Sequence, residues 1–190
     1  MLTLVVGLAL FLGVHSVSIF IPGWRDAMAE RMGALKWKGI YSLASLAGFV
    51  LLVHGYGEAR AAPVLLYQPT PWMSHLSMLL MLPVFPLLMA AYLPGRISTA
   101  VRHPMLAATK VWAVAHLLAN GTLADALLFG SFLAWAVADR VSVDRRPKRA
   151  IPGAPRGRFN DSIAIIGGLV LYGLFVLGLH GWLTGIPLRP

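Results

Sequence analysis

Six histidines and one Arg-His-Pro tripeptide are the groups in this 190-residue chain best equipped for chemistry. His15, His54 and His116 fall inside long apolar runs, and His103 stands at the mouth of one, in Arg102-His103-Pro104. His75 and His180 lie near the ends of runs and read as interfacial. An ionisable side chain in hydrocarbon is costly, so each embedded histidine is a functional candidate by default. Trp112, His116 and Asn120 repeat every four residues and share one helical face. An aromatic plane, an imidazole and an amide on one embedded face suit a flat cofactor. The plainer reading is a histidine hydrogen-bonded to a neighbouring helix.

Two histidines on different spans, on opposite sides of a porphyrin, would make a bis-imidazole haem site. His15 and His116 are the pair, with His54 in reserve. Counted from the cytoplasmic edge, His15 lies about 10 Å deep and His116 about 18 Å, with His54 nearer the level of His116. His103 and His116 cannot share a metal, being 13 residues apart on one helix, which is roughly 20 Å. The chain has no cysteine, which excludes disulfides, iron–sulfur clusters and thiolate-ligated haem.

The elements that must position these groups are membrane spans. The chain is 58% hydrophobic and 12% charged, against about 25% charged in soluble domains, and its mean hydropathy is +0.73. So little polar surface cannot solvate a globule, whereas lipid removes that need. The net charge of +9 does not point to nucleic acid, because the basic residues sit in short gaps between apolar runs. Six runs stand out, at about residues 2–21, 37–56, 72–92, 104–119, 123–137 and 162–183. The fourth and fifth meet at Asn120-Gly121, a turn dipeptide, and form a helical hairpin. The first run carries no preceding positive charge and is too long for the core of a cleaved signal.

The gaps hold four, one, two, none, seven and one Lys or Arg in order, counting the C-terminus last. By the positive-inside rule the expectation is an all-α, six-span bundle with both termini away from the cytoplasm. The whole of residues 1–190 is one integral membrane domain, and 139–161, rich in Arg with Pro147, Pro152 and Pro155, is a basic cytoplasmic loop. Residues 24–33 carry both charge signs and form an interfacial helix. Small residues at Ala44–Gly48, at Gly130–Ala134–Ala138 and at Gly168, Gly173 and Gly178 are expected to mark helix contacts. Pro83 and Pro86 should kink the Met-rich third run.

Specific motifs carry a resemblance. Gly13-Val14-His15-Ser16, Trp37-Lys38-Gly39-Ile40-Tyr41-Ser42, Arg102-His103-Pro104 and the run Trp112 to Gly121 resemble the NnrU family of bacterial membrane proteins along nearly the whole chain. Phe129-Gly130-Ser131-Phe132 follows as that family has it. The resemblance implies a multi-pass protein of the bacterial inner membrane, linked to nitrite and nitric oxide reduction in denitrification. The same domain occurs in plant ζ-carotene isomerase, a haem b enzyme that flips a carotenoid double bond through iron redox changes. Its two haem ligands match His15 and His116 here. The isomerase has a cysteine three residues before the second ligand, where this chain has Ala113, so thiolate switching is excluded.

What the resemblance implies is therefore haem b, ligated by His15 and His116 with His54 as alternate. Trp112 and Asn120 would line the pocket, and Arg102 would anchor a propionate or a lipid phosphate. A haem-dependent isomerase or oxidoreductase acting on a lipid-soluble substrate is the enzymatic form of that expectation. The rival is a non-enzymatic factor that assembles a respiratory complex. Arg-His-Pro also occurs in membrane methyltransferases that modify isoprenylcysteine, at an S-adenosylmethionine site. A third reading of Arg102-His103-Pro104 is a span start, with proline in the first helical turn.

Overall fold

In the computed structural model, which describes residues 1–146, 149 and 153–188, each of the six apolar runs is helical. In chain order the helices are α1 (Leu2–Phe20), α2 (Pro22–Met32), α3 (Ala34–Ala61), α4 (Pro71–Met81), α5 (Val84–Ala90), α6 (Arg96–Val101), α7 (Pro104–Ala119), α8 (Leu123–Val143), α9 (Asn160–Leu174) and α10 (His180–Thr184). A π-helical turn, Phe175–Leu179, joins α9 to α10. Among the described residues, five helical stretches are long and apolar enough to cross a membrane: 2–20, 34–61, 71–90, 123–143 and 160–184. The run 104–119 is apolar but has 16 residues, about 24 Å against a hydrocarbon core of about 30 Å.

The apolar side chains face outward, the reverse of a water-soluble bundle. Leu43 is 70% exposed, Leu79 62% and Ile166 64%. A surface of that kind has lipid as its solvent.

The chain divides into two compact units. The first comprises Met1–Thr70 and His116–Lys148. Its centre is the crossing of α1 on α3, where backbones meet with almost nothing between them. A Cβ on Gly7 would strike the backbone of Leu52, one on Gly55 the backbone of Leu4, and one on Gly48 would stand 2.7 Å from Phe11 N. Close backbone approach supplies the dispersion contact that lipid does not oppose. Pro22 opens α2 at its first turn, where a missing N–H costs nothing. Gly33, at φ +82, breaks α2 from α3 with a backbone turn other residues resist. Trp24 of α2 and Trp37 of α3 meet edge to face at 6.0 Å, with Arg25 over the Trp37 ring at 5.7 Å.

The second unit comprises Pro71–Ala115 and Arg149–Pro190. Pro83 breaks the third run between α4 and α5, the expected kink. The α5 and α9 helices meet where a Cβ on Gly168 would strike the backbone of Pro86, and Met89 fills the space beside Gly167. Tyr172 donates to the Met78 carbonyl at 2.9 Å, and Ser77 to that of Ala115 at 2.5 Å.

Three expectations change. Gly130, Gly173 and Gly178 face open space, so of the proposed small-residue contacts Gly48 and Gly168 are the glycines that make one. Spacing of five turns Gly173 about 140° away from the face of Gly168. The fifth run continues as helix to Val143, so the first residues assigned to the basic loop are helical. The loop itself ends at Asn160, where α9 starts. Pro147, Lys148 and Pro152 of that stretch, and Arg189, lie outside the described residues.

Candidate functional site

His15 sits near the middle of the first unit in an aromatic box. Its own helix supplies Phe11, one turn back, with ring centroids 4.3 Å apart. Tyr41 of α3 approaches at 5.3 Å and Trp135 of α8 stands perpendicular at 6.1 Å. Its Nδ1 lies 2.7 Å from the Phe11 carbonyl oxygen. A carbonyl can only accept, so Nδ1 carries the hydrogen, and the lone pair of the neutral ring is on Nε2. That arrangement is how proteins present a histidine to a metal.

Beyond this box lie buried donors without acceptors. Trp135 Nε1 and Arg146 Nη1 find no hydrogen-bond partner among the described residues. Arg146 is folded back so that its other nitrogen, Nη2, binds Asp139 Oδ1 at 2.6 Å, with the two side chains only 12% and 13% exposed. Asp139 follows Trp135 by one turn, so ring, carboxylate and guanidinium run along one side of α8. An unpaired buried N–H costs about 1–3 kcal/mol unless something accepts it; Trp135 stands against His15, and Arg146 is held to Asp139, one turn beyond Trp135.

His116 meets the same helix elsewhere. Its ring lies 4.6 Å from that of Phe129, six residues before Trp135. Six residues are about 9 Å along α8 and about 120° around it. His15 and His116 thus meet one helix at different heights and on different sides. The His116 carbonyl accepts both the backbone N–H and the side-chain amide of Asn120, each at 2.9 Å. Tyr67 donates to the Asn120 carbonyl at 2.8 Å. Asn120 therefore ends α7 with the same amide that was expected to line a pocket. Burial pushes the Tyr67 phenol up from its ordinary range, with the charge of Asp125 a lesser cause.

The turn that follows is held by Gly121. The amides of Leu66 and Tyr67 donate to its carbonyl at 2.8 and 3.1 Å, and the Tyr67 carbonyl lies where a Cβ would be. Thr122 and Asp125 then form a capping box: Asp125 N donates to Thr122 Oγ1 at 3.2 Å, and Thr122 N and Oγ1 donate to Asp125 Oδ2 at 3.0 and 2.6 Å. Tyr56 of α3 donates to the other carboxylate oxygen at 2.5 Å. Asp125 is 5% exposed, and both its oxygens accept from protein donors, one bond at Oδ1 and two at Oδ2.

The remaining candidates have surroundings of their own. His54 points outward, its side chain 68% exposed and paired with Glu58 at 3.2 Å one turn on. Trp112, in the part of α7 that belongs to the second unit, is half-buried. Arg102, also in the second unit, is exposed and has φ +63. The His103 amide bonds the Val101 carbonyl at 2.7 Å across it, a γ-turn of the strained positive-φ kind. Pro104 follows, buried at the first position of α7. The tripeptide thus turns the chain from α6 into α7, as the span-start reading expects. Among the described residues no three His, Asp or Glu side chains converge to hold a bare metal ion.

Tyr56, Asp125, Trp135, Asp139 and Arg146 were not singled out from the sequence. The capping-box spacing Thr122–Asp125 at the head of an apolar run was the available signal for Asp125. No local signal marks Trp135.

Comparison with protein families matches residues 3–188 to the family described as NnrU protein. No curated protein and no solved structure matches the chain.

Proposed function

The chain belongs to the NnrU family, and on that footing we propose that it is an inner-membrane protein that holds haem b through His15, in the setting of nitrite and nitric oxide respiration. The carrying observation is the bond from His15 Nδ1 to the Phe11 carbonyl, which leaves Nε2 as the lone pair of an imidazole fixed on three sides by aromatic rings. The residues around it fit the group. Phe11, Tyr41 and Trp135 set aromatic rings around the imidazole whose free nitrogen would bind the iron. Trp135 Nε1 and Arg146 Nη1 are donors in want of acceptors, and propionate carboxylates are acceptors.

His116, packed against Phe129 of the same helix α8, would be the second histidine to hold the group. His54, turned outward to Glu58, is the weaker alternate. Arg102, exposed in the second unit, is a candidate for contact with an anionic group such as a lipid phosphate. A haem held there supplies an iron that exchanges one electron and can bind a small molecule or polarise a lipid-soluble substrate. The chain's own part is to fix the tautomer of His15, keep the site dry and hold the carboxylates.

The six helical runs, with α7 as a short sixth span, give both termini on the outer side by the distribution of Lys and Arg. The C-terminal end of α8, with Arg140 and Arg146, then lies at the cytoplasmic headgroups, the level at which haem carboxylates are best solvated.

The test is an absorption spectrum of the detergent-purified protein, expressed with ample haem supply, oxidised and then reduced with dithionite. The expected result is a Soret band with resolved reduced α and β bands, lost in His15→Ala. A blank spectrum, also after haemin titration, overturns the proposal and leaves the non-enzymatic assembly role.

A further inference from the structure

In the second unit, two chain segments close on an open cleft lined by Gly95, Arg96, Thr99, Arg156, Arg158 and Asp161. The segments are tied firmly. Asn160, 7% exposed, donates from its amide to the Pro94 carbonyl at 2.9 Å and the Pro155 carbonyl at 3.0 Å. The Ala154 amide donates to the Tyr92 carbonyl at 2.9 Å. The cleft is therefore a formed feature joining the gap before α7 to the loop before α9.

Its charge is unbalanced. The one carboxylate, Asp161, spends Oδ2 on the Arg96 amide at 2.8 Å and Oδ1 on the Ile97 amide at 3.0 Å. No ion pair joins Arg96, Arg156 or Arg158 to a carboxylate among the described residues. Arg156 is steadied by Thr99 Oγ1 at 3.3 Å, and the Arg158 guanidinium lies over the Phe159 ring at 4.4 Å. Three arginines thus border the open space, the guanidinium groups of Arg156 and Arg158 each held against a neighbour, and their N–H forks match the oxygens of a phosphate.

The surface below the cleft says which phosphate. Phe159, Ile163, Ile166 and Val170 are 58%, 49%, 64% and 56% exposed and recur at helical spacing along α9. They form an apolar stripe that begins at the cleft's rim. A ligand with a phosphate at one end and a hydrocarbon chain at the other fits both parts.

We propose that this cleft is a specific site for an anionic phospholipid, with the headgroup phosphate held by Arg96, Arg156 and Arg158 and an acyl chain laid on α9. Both gaps that form it rank as cytoplasmic by their basic residues, the leaflet side on which basic pockets bind such headgroups. The site is independent of any haem.

The experiment uses the full chain in neutral detergent, with native mass spectrometry and thermal unfolding as readouts. The probes are phosphatidylglycerol, phosphatidylcholine and inorganic phosphate. Phosphatidylglycerol should bind saturably, at least about tenfold more tightly than phosphatidylcholine, and raise Tm. Arg156→Gln with Arg158→Gln should weaken it about tenfold, and Arg156→Lys by less, since a single guanidinium fork is lost and its charge kept. Lys36→Gln with Lys38→Gln removes equal charge elsewhere and should leave binding unchanged. Equal loss in both double variants, or equal binding of the two lipids, overturns the site as a local one. Arginine-dependent binding of inorganic phosphate without binding of the lipid overturns the lipid as its occupant.

Discussion

His15 and Phe11 are joined twice, by a hydrogen bond of 2.7 Å from ring nitrogen to carbonyl and by rings tilted 34° with centroids 4.3 Å apart. The two contacts fix the tautomer and the plane of the imidazole together. They leave the lone pair of Nε2 pointing away from its own helix carbonyl, the form in which a histidine can bind a metal.

That relationship separates the two axial candidates. His15→Ala should abolish haem retention. His116→Ala should keep haem but lose the sharp α and β bands of a six-coordinate iron, if His116 closes the second position. An unchanged spectrum in His116→Ala assigns that position to another group, and full haem occupancy in His15→Ala sinks His15 as a ligand. His54→Ala should leave the spectrum unaltered, because its imidazole is turned out toward Glu58.

The α1–α3 crossing should be the most substitution-sensitive helix contact of the first unit. Gly55→Leu puts a side chain into the backbone of Leu4, and Gly48→Leu into Phe11. Overpacking of this kind costs about 1–3 kcal/mol or more where backbone must move. Tm in detergent should fall by several degrees in each. Gly130→Leu, at a glycine with open space around it, should shift Tm by little.

These glycines also show what was legible in the sequence. Four-residue spacing identifies a narrow face on a helix but not which face meets a neighbour, so Gly48 was found, Gly130 was misplaced, and Gly7 and Gly55 were passed over. The helical runs and the Asn120-Gly121 turn were legible because apolar length and turn chemistry are local. The end of α8 was not. Asp139, Arg140 and Asp144 look like the start of a solvated loop, yet Arg140 pairs with Asp144 one turn on at 2.5 Å and Arg146 folds back to Asp139, which lets the helix run to Val143. Trp135 gained significance from the approach of His15 on α1, a contact between residues 120 positions apart.

Arg102 should report on strain. A non-glycine residue at φ +63 in a γ-turn costs of the order of 1–3 kcal/mol. Arg102→Gly relieves the turn and should raise Tm by a few degrees. Arg102→Ala keeps the strained φ while removing the guanidinium, so it should not stabilise. A lower Tm in Arg102→Gly would mean that the side chain contributes more to stability than its backbone costs.

The buried pair Tyr56–Asp125 should be strongly coupled. Asp125→Ala removes the N3 half of the capping box while the residue-125 amide can still donate to Thr122, and it strands the Tyr56 hydroxyl, a cost of about 1–3 kcal/mol. Tyr56→Phe removes one donor while Thr122 still supplies two, so it should be the milder change. Once Asp125 is gone, Tyr56→Phe should cost little or even help, because it deletes a hydroxyl with no acceptor. A double-mutant cycle read by thermal unfolding in detergent should therefore give a coupling of about 1 kcal/mol or more. Additive effects would mean that the 2.5 Å contact contributes nothing and that the capping box alone secures the head of α8.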